Sequence, residues 1–349
     1  MTEDPSALAS RKREHIAICE TDAPSFDKKT TGFERYDFLH YALTEVEPEK
    51  IYFSTDFFGK KINFPMLISC MTGGVEEADN INKQLAKAAA RLHIPLGLGS
   101  LRYALNTTEF DSKLIDIRKT AGSVPLLGNI GAAQLVQEHN NFHRLKRLVR
   151  LIDLNVFVVH LNPLQEMLQK NGEIEFKGLK DALAEFVAEI GIPVMVKEVG
   201  SGISARVAAE LLAMGVQGID VAGSGGTSWA GVEILRNNDE MGTEFWDWGI
   251  PTAQCIKAVK KLKPEYDFML VGSGGVNTPM DAAKSLALGA DLFASARILF
   301  QTLQQHGSDG VIALVEEWFS TIRKIMFLTG AQTLDDFNSR VLIKREENL

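Results

Sequence analysis

The chain has 349 residues, of which 45% are hydrophobic and 23% charged, and its formal net charge is −8. This balance is typical of a globular protein, and the acidic excess argues against a nucleic-acid surface, which is basic. The three cysteines form no Cys-x-x-Cys pair, which argues against a disulfide framework or a zinc site and predicts a reducing, cytoplasmic location. The apolar runs are too short for a membrane span, and we predict no membrane partner and no signal peptide.

The first 60 residues differ from the rest. They are polar, contain Pro5, Pro24 and Pro48, and predict an N-terminal extension with one helix that packs on a second unit, residues 61–349. The basic stretch 11–13 would ordinarily be solvated. It gains a role, together with His15, only if the extension folds over a site and supplies charge to a diphosphate.

Beyond residue 62, short β-rich runs alternate with helical patterns, which is typical of βα units and a parallel sheet. Several of these runs carry no charge, as expected of strands buried on both faces. The predicted strands are 65–71, 95–99, 125–130, 156–161, 193–199, 218–222, 268–272 and 291–294.

Helices between the strands have readable ends. Thr278 and Pro279 open one that Gly289 closes, a second over 181–190 ends at Gly191, and a third from Ala205 ends at Gly215. Eight such units favour a (β/α)₈ TIM barrel of the α/β class over a doubly wound sheet. A long loop, 229–248, separates strands six and seven, and loops of this length tend to be lids or binding loops.

Polar side chains follow the fourth predicted strand, in the stretch 160–166. His160, Asn162, Gln165 and Glu166 lie where a buried strand ends, a place suited to one hard cation and an anionic, oxygen-rich ligand. The alternative is a strand end with a proline turn and solvated polar residues. Similar groups and glycines at nearly every other strand end favour the first interpretation, because barrels place their sites there.

Two glycine-rich turns, 223–227 and 272–275, indicate a phosphate site. Glycine lets a phosphate approach backbone N–H groups closely, and barrels commonly bind phosphate after strands seven and eight, where Arg297 also lies. A tight turn without ligand is the alternative.

Lys197 ends an apolar strand, and a buried ammonium requires an electron-rich partner. A flavin carbonyl region, a Schiff-base substrate or a neighbouring acid such as Glu198 would each serve.

Together these motifs resemble one family, the FMN-dependent type 2 isopentenyl-diphosphate δ-isomerases. The likeness covers most of the chain, from residue 11 to residue 297. The motifs that carry it are Arg11-Lys12-x-x-His15, Met71-Thr72-Gly73-Gly74, Gly99-Ser100-x-Arg102, Gly128-Asn129, His160-Leu161-Asn162-Pro163-x-Gln165-Glu166, Lys197-Glu198 and Gly225-Gly226-Thr227.

The resemblance implies reversible interconversion of isopentenyl and dimethylallyl diphosphates, with reduced FMN as acid and base, NADPH as its reductant and Mg²⁺ on the diphosphate. It also implies a homo-oligomer, a tetramer or octamer. Ala222 departs from the family pattern, since many members have Ser there. The residues implied for FMN are Met71, Thr72, Gly73, Ser100, Asn129, Lys197, Thr227, Gly274, Gly275, Ala296 and Arg297.

The resemblance also assigns the substrate and catalytic groups. Glu166 would bind Mg²⁺, and Leu101, at a variable position, would contribute only backbone or packing. The substrate would be held by Arg11, Lys12, His15, Ser100, Leu101, Arg102 and Gln165, and the catalytic group would be His160, Gln165, Glu166, Trp229 and Glu233.

Two other functions remain open from the sequence. A redox FMN barrel, acting on a hydroxy acid or an enone, would share the phosphate turns but consume NAD(P)H or oxygen steadily. A non-catalytic flavin- or phosphate-binding barrel would bind without turnover.

Overall fold

Short strands alternate with helices along most of the computed structural model, which describes residues 5–238 and 240–345. Within these residues the strands are β1 (Tyr36–Phe38), β2 (Thr55–Phe57), β3 (Lys60–Ile62), β4 (Met66–Ile68), β5 (Leu96–Gly97), β6 (Leu126–Gly131), β7 (Val156–His160), β8 (Val194–Lys197), β9 (Gly218–Asp220), β10 (Met269–Gly272), β11 (Leu292–Ser295) and β12 (Leu342–Lys344).

Strands β4 to β11 form a closed parallel barrel in chain order, and β11 pairs back with β4. These are the eight predicted strands, so the (β/α)₈ fold is confirmed and the open, doubly wound sheet is excluded. Side chains alternate along each strand. In β7, Val156 and Val158 belong to the core inside the barrel, whereas Phe157 and Val159 pack outward against the helices. Burial on both faces explains why most of these strands lack charge, and the exceptions, Lys197 and Asp220, lie opposite each other in the β8–β9 pairing.

The helices surround the barrel on its outside. The helix that Thr278 was predicted to open has a complete capping box. The Thr278 hydroxyl accepts from the N–H of Asp281, and the Asp281 carboxylate accepts from the N–H of Thr278. The third predicted helix ends at Ala213, just before Gly215. The helices are α1 (Pro5–Cys19), α2 (Glu76–Leu92), α3 (Asp111–Ala121), α4 (Ala132–Gln137), α5 (His143–Leu151), α6 (Pro163–Leu168), α7 (Leu179–Glu189), α8 (Ala205–Ala213), α9 (Trp229–Asn237), α10 (Thr252–Lys260), α11 (Pro279–Leu288) and α12 (Arg297–Thr329).

A hairpin closes the amino-terminal end of the barrel. Strands β2 and β3 pair antiparallel, and their Phe57 and Ile62 are 1% and 0% exposed. Both pack in the same interior cluster as Val156 and Leu292, the first residues of β7 and β11. Because this end is plugged with apolar side chains, polar groups are left to the opposite, carboxyl-terminal end.

The N-terminal extension crosses that carboxyl-terminal end. Its predicted helix is present as α1, and the chain beyond it bridges Ser25 to Thr227. Strand β1 then pairs with β12. The division into 1–60 and 61–349 stays a prediction, and residues 1–4, 239 and 346–349 of those ranges lie outside the described residues.

The predicted long segment between strands six and seven is present and partly helical. It contains α9 and a 3₁₀ turn, Glu240–Phe245. Even α12, with 33 residues, lacks an apolar window that would let it cross a membrane, and the same holds for the other described helices.

Candidate active site

Two pockets share a wall at the carboxyl-terminal end of the barrel. The first, which we call the glycine pocket, contains Gly274 and Gly275. The second, the carboxylate pocket, contains Glu166. The side chains that line both are Lys12, His15, Cys70, Met71, Lys197, Val199 and Trp229.

The residues predicted for FMN all lie in one of these pockets. Those in the glycine pocket are Met71, Thr72, Lys197, Thr227, Gly274, Gly275, Ala296 and Arg297. Met71 and Lys197 also reach the carboxylate pocket, which adds Gly73, Ser100 and Asn129.

The glycine pocket has the features of a phosphate site. Gly274 has φ 100°, and a Cβ there would lie 2.1 Å from the carbonyl oxygen of Gly223, so only glycine fits. Arg297 donates through Nη2 to Ser25 Oγ at 2.9 Å, while its Nη1 is buried without a hydrogen-bond partner. Thr72 Oγ1 is buried and unpartnered in the same way. Since buried polar atoms are ordinarily satisfied, both atoms are suited to oxygen atoms of a bound ligand.

Lys197 stands where the two pockets meet. It is 8% exposed, and its Nζ donates to the carbonyl of Glu198 at 2.8 Å. The carboxylate of Glu198 accepts backbone N–H groups instead, with Gly200 at 2.6 Å, so it is not the partner of the ammonium. Asp220 is opposite Lys197 in the β8–β9 pairing and is fully buried. Burial raises the pKa of Asp220 to about 6 against the opposing charge of Lys197 and a 2.5 Å hydrogen bond from Ser273 Oγ.

Glu166 is held by several donors. Its Oε1 accepts from Asn162 Nδ2 at 2.9 Å, and its Oε2 accepts from Gln169 Nε2 at 3.1 Å and from the N–H of Glu173 at 2.7 Å. Burial raises its pKa although these bonds oppose the shift. Among the described residues, no cluster of three or more His, Cys, Asp or Glu side chains could hold a metal alone. A cation at Glu166 therefore requires oxygen atoms from a ligand or water.

His160 is a neutral group. Burial, and then the charges of Lys197 and Lys12, lower its pKa to about 3. Its Nδ1 lies 2.7 Å from Asn129 Oδ1, which accepts, so Nδ1 carries the proton and Nε2 is left as an acceptor. His160 can orient a donor in the carboxylate pocket but cannot act as a cationic anchor at neutral pH.

The extension brings further predicted residues to the site. Nε2 of His15 lies 2.8 Å from Oε1 of Glu233 on α9, and the His15 ring meets Trp229 edge-on at 5.3 Å. Gln165 Nε2 reaches the same Glu233 oxygen at 3.5 Å. Burial raises the Glu233 pKa, but the His15 hydrogen bond and the Arg236 charge outweigh it and hold this pKa below its ordinary value.

The predicted basic residues lie in the carboxylate pocket. Arg11 is 8% exposed there, and Lys12 lines both pockets, so the extension supplies positive charge to the mouth of its own barrel. Arg102 pairs with Glu173 at 2.9 and 2.7 Å. Leu101 is different, because its side chain is 1% exposed in the core and lines neither pocket.

The sequence did not reveal several groups at the site. Asn162 was predicted only as one of the polar groups after the fourth strand, and its hydrogen bond to Glu166 four residues later was not predicted. Gln134 and Glu173 enter from segments after β6 and α6 and had no signal. Asp220 received no role from the sequence, where it belonged to a predicted strand, and the structure shows it fully buried.

A closed barrel with a phosphate-type glycine pocket at its carboxyl-terminal end defines a flavin-type TIM-barrel enzyme. A family model described as FMN-dependent dehydrogenase matches residues 6–108 and 159–344. A protein named isopentenyl-diphosphate delta-isomerase from Pelodictyon phaeoclathratiforme is 42% identical and aligns over 97% of this chain and 98% of its own length. One of the same name from Methanothermobacter thermautotrophicus is 39% identical over 96% and 93%. The chain therefore belongs to the isopentenyl-diphosphate delta-isomerases of the FMN-dependent type, as its motifs predicted.

Solved structures support the fold independently. A flavocytochrome b2 variant superposes with a TM-score of 0.72, covering 99% of this chain and 88% of that one, at 16% sequence identity. Identity this low indicates a shared barrel fold and nothing about cofactor or substrate.

Proposed function

We propose that this enzyme interconverts isopentenyl and dimethylallyl diphosphates, with reduced FMN and Mg²⁺ and without net redox change. The observation that carries the proposal is the shared wall of the two pockets. One pocket is suited to a flavin phosphate and ring, and the adjoining one concentrates Arg11, Lys12, Arg102 and Glu166 for a metal-bound diphosphate.

FMN suits the glycine pocket because its phosphate would meet the buried Arg297 Nη1 and the turn at Gly274, and its ring oxygens would meet Thr72 Oγ1 and Lys197. Reduced FMN, once bound, supplies the proton donor and acceptor that no ordinary side chain offers an unactivated alkene. We propose NADPH as the reductant that converts bound FMN to its reduced form.

The carboxylate pocket would hold the diphosphate. Glu166 provides one carboxylate, and Mg²⁺ in proteins commonly takes one or two carboxylates plus phosphate oxygens and water. Arg102 offers bidentate hydrogen bonds, while Lys12 serves as a point charge. Neutral His160 and Gln165 orient the substrate.

Trp229 and His15 line both pockets beside these groups, and Glu233 holds the His15 ring against Trp229. The Trp229 ring would exclude water from this side of a bound substrate, which strengthens polar interactions there. Glu233, ionised and in reach of Gln165, can hold that amide in one orientation toward the substrate.

The decisive experiment is turnover by purified protein with photoreduced FMN and Mg²⁺. We expect dimethylallyl diphosphate to form from isopentenyl diphosphate without stoichiometric NADPH consumption. Steady consumption of NADPH or oxygen coupled to product would support a redox FMN barrel instead, and FMN binding without any turnover would support a binding protein.

Replacing Glu166 by Gln tests the metal site. We expect FMN to remain bound and the Mg²⁺-dependent rate to fall at least about tenfold, since the carboxylate charge is lost. Glu175→Gln makes the same change on an exposed residue close in the chain and should leave the rate unaltered. Unchanged metal dependence in Glu166→Gln contradicts the assignment.

The cellular setting belongs to the same proposal. We propose a cytoplasmic enzyme, in line with its unpaired cysteines, assembled as a tetramer or octamer. Light scattering on the purified protein measures the mass directly, and a monomer would contradict the predicted assembly.

A further inference from the structure

Several donors converge on the carboxylate of Glu173. Nη1 and Nη2 of Arg102 donate to its two oxygens at 2.9 and 2.7 Å, and Gln134 donates through its side-chain amide. Gln137 Nε2 adds a longer contact at 3.4 Å. Glu173 lies 71 residues from Arg102 in the chain, so the tertiary fold rather than local structure creates this arrangement.

The backbone of the same residue makes a second link. The N–H of Glu173 donates to Oε2 of Glu166 at 2.7 Å. The preceding Gly172 is pressed against the end of α6, because a Cβ there would lie 1.9 Å from the carbonyl oxygen of Glu166. The turn is therefore packed tightly against the backbone of Glu166, and from there the N–H of Glu173 reaches the Glu166 carboxylate.

We propose that Glu173 is a positioning residue that holds the diphosphate-binding Arg102 through its side chain and the metal-binding Glu166 through its backbone. This inference rests on the proposed function, since it takes Arg102 and Glu166 as the groups that meet the metal diphosphate. Glu173 thus sets the distance between the Arg102 guanidinium and the Glu166 carboxylate, which must both engage the same metal diphosphate.

The geometry favours positioning over blocking of the site. A guanidinium has five N–H donors, and end-on pairing with Glu173 uses one on each terminal nitrogen. Nε–H and one N–H on each terminal nitrogen remain for a diphosphate. An arginine fixed on one side loses less freedom when it binds on another, which improves affinity.

Calorimetry with inorganic diphosphate on the FMN-loaded enzyme, with and without Mg²⁺, measures the side-chain link. Glu173→Gln keeps the backbone N–H and the shape but removes the charge that orients Arg102. We expect about tenfold weaker diphosphate binding, a similar rise in KM and a nearly unchanged kcat. Glu173→Asp should recover part of the loss, and Glu175→Gln should behave as the unmodified enzyme.

Gly172→Ala measures the backbone link. The added methyl must displace the turn, so we expect the Mg²⁺ concentration for half-maximal diphosphate binding to rise at least severalfold, whereas Glu173→Gln leaves it unchanged. Circular dichroism and FMN content verify that both variants fold.

The outcomes separate this inference from the proposed function. Equal or tighter diphosphate binding by Glu173→Gln overturns the positioning role while leaving the function intact. Failure of the unmodified enzyme to bind diphosphate with Mg²⁺ overturns the diphosphate site and, with it, the role of Glu173.

Discussion

Replacement of Asp220 tests whether the buried carboxyl opposite Lys197 is partly neutral. It is fully buried on β9, opposite Lys197, and its Oδ2 has no hydrogen-bond partner. Replacement by Asn keeps an oxygen that can accept from Ser273 Oγ and from the N–H of Ala222, the two donors that Asp220 Oδ1 now has. The substitution therefore removes a charge with little change of shape.

The pKa of Asp220 sets the size of the expected change in the free energy of unfolding. Burial raises it from the ordinary value of 3.8 to about 6. The folded state therefore favours the neutral acid, and ionisation destabilises it by about 3 kcal/mol at high pH. This cost disappears as the pH falls through 6 toward 4, and roughly half of it is removed between pH 8 and pH 5.

Urea denaturation of FMN-free protein between pH 8 and pH 5 measures the effect. We expect the free energy of unfolding of the unmodified protein, minus that of Asp220→Asn, to rise by roughly 1–2 kcal/mol over this interval. Other titrating groups, such as His160, are present in both proteins and cancel. A difference that is flat, or that falls toward pH 5, would refute the buried, partly neutral carboxyl.

Three further results are expected. Iodoacetamide at pH 8 should label the cysteines of the native protein far more slowly than those of the denatured protein. Burial raises the pKa of Cys19 and Cys70 to about 11 and that of Cys255 to about 12. Rapid labelling of the native protein would contradict this expectation. Arg297→Ala should weaken FMN binding in fluorescence titration by at least about tenfold, since it removes the charged donor that we propose for the phosphate. Phe57→Ala should lower the free energy of unfolding by about 3–5 kcal/mol in urea titration, because it empties the barrel plug.

The sequence predicted most of the fold for a simple physical reason. Strands buried on both faces carry few charged residues, and helix ends must satisfy their free N–H and C=O groups. Both demands leave local signals, such as the run 156–159 and the cap at Thr278. The strand bounds were less accurate. The predicted strand 193–199 is a strand only over Val194–Lys197, and the N–H of Val199 donates to the Glu198 carboxylate instead of to a neighbouring strand.

The location of the candidate site was predictable from residues with distinctive local chemistry. The glycine turns and the stretch 160–166 could be recognised from their own residue types, and both lie at the two pockets. The partners of those residues were not predictable, because Glu173 meets Arg102 and Asp220 meets Ser273 only after the barrel closes. No spacing in the chain encodes such contacts.

The cover of the barrel mouth has a consequence for how the molecule assembles. His15, Ser25 and their partners Glu233, Trp246 and Arg297 are separated by 218, 221 and 272 residues. Closing loops of this length costs conformational entropy, as does the pairing of β4 with β11 that closes the barrel. The earliest residues to be synthesised therefore reach their partners only after the chain has been made as far as Arg297, and the binding site is complete only when both ends of the chain are in place.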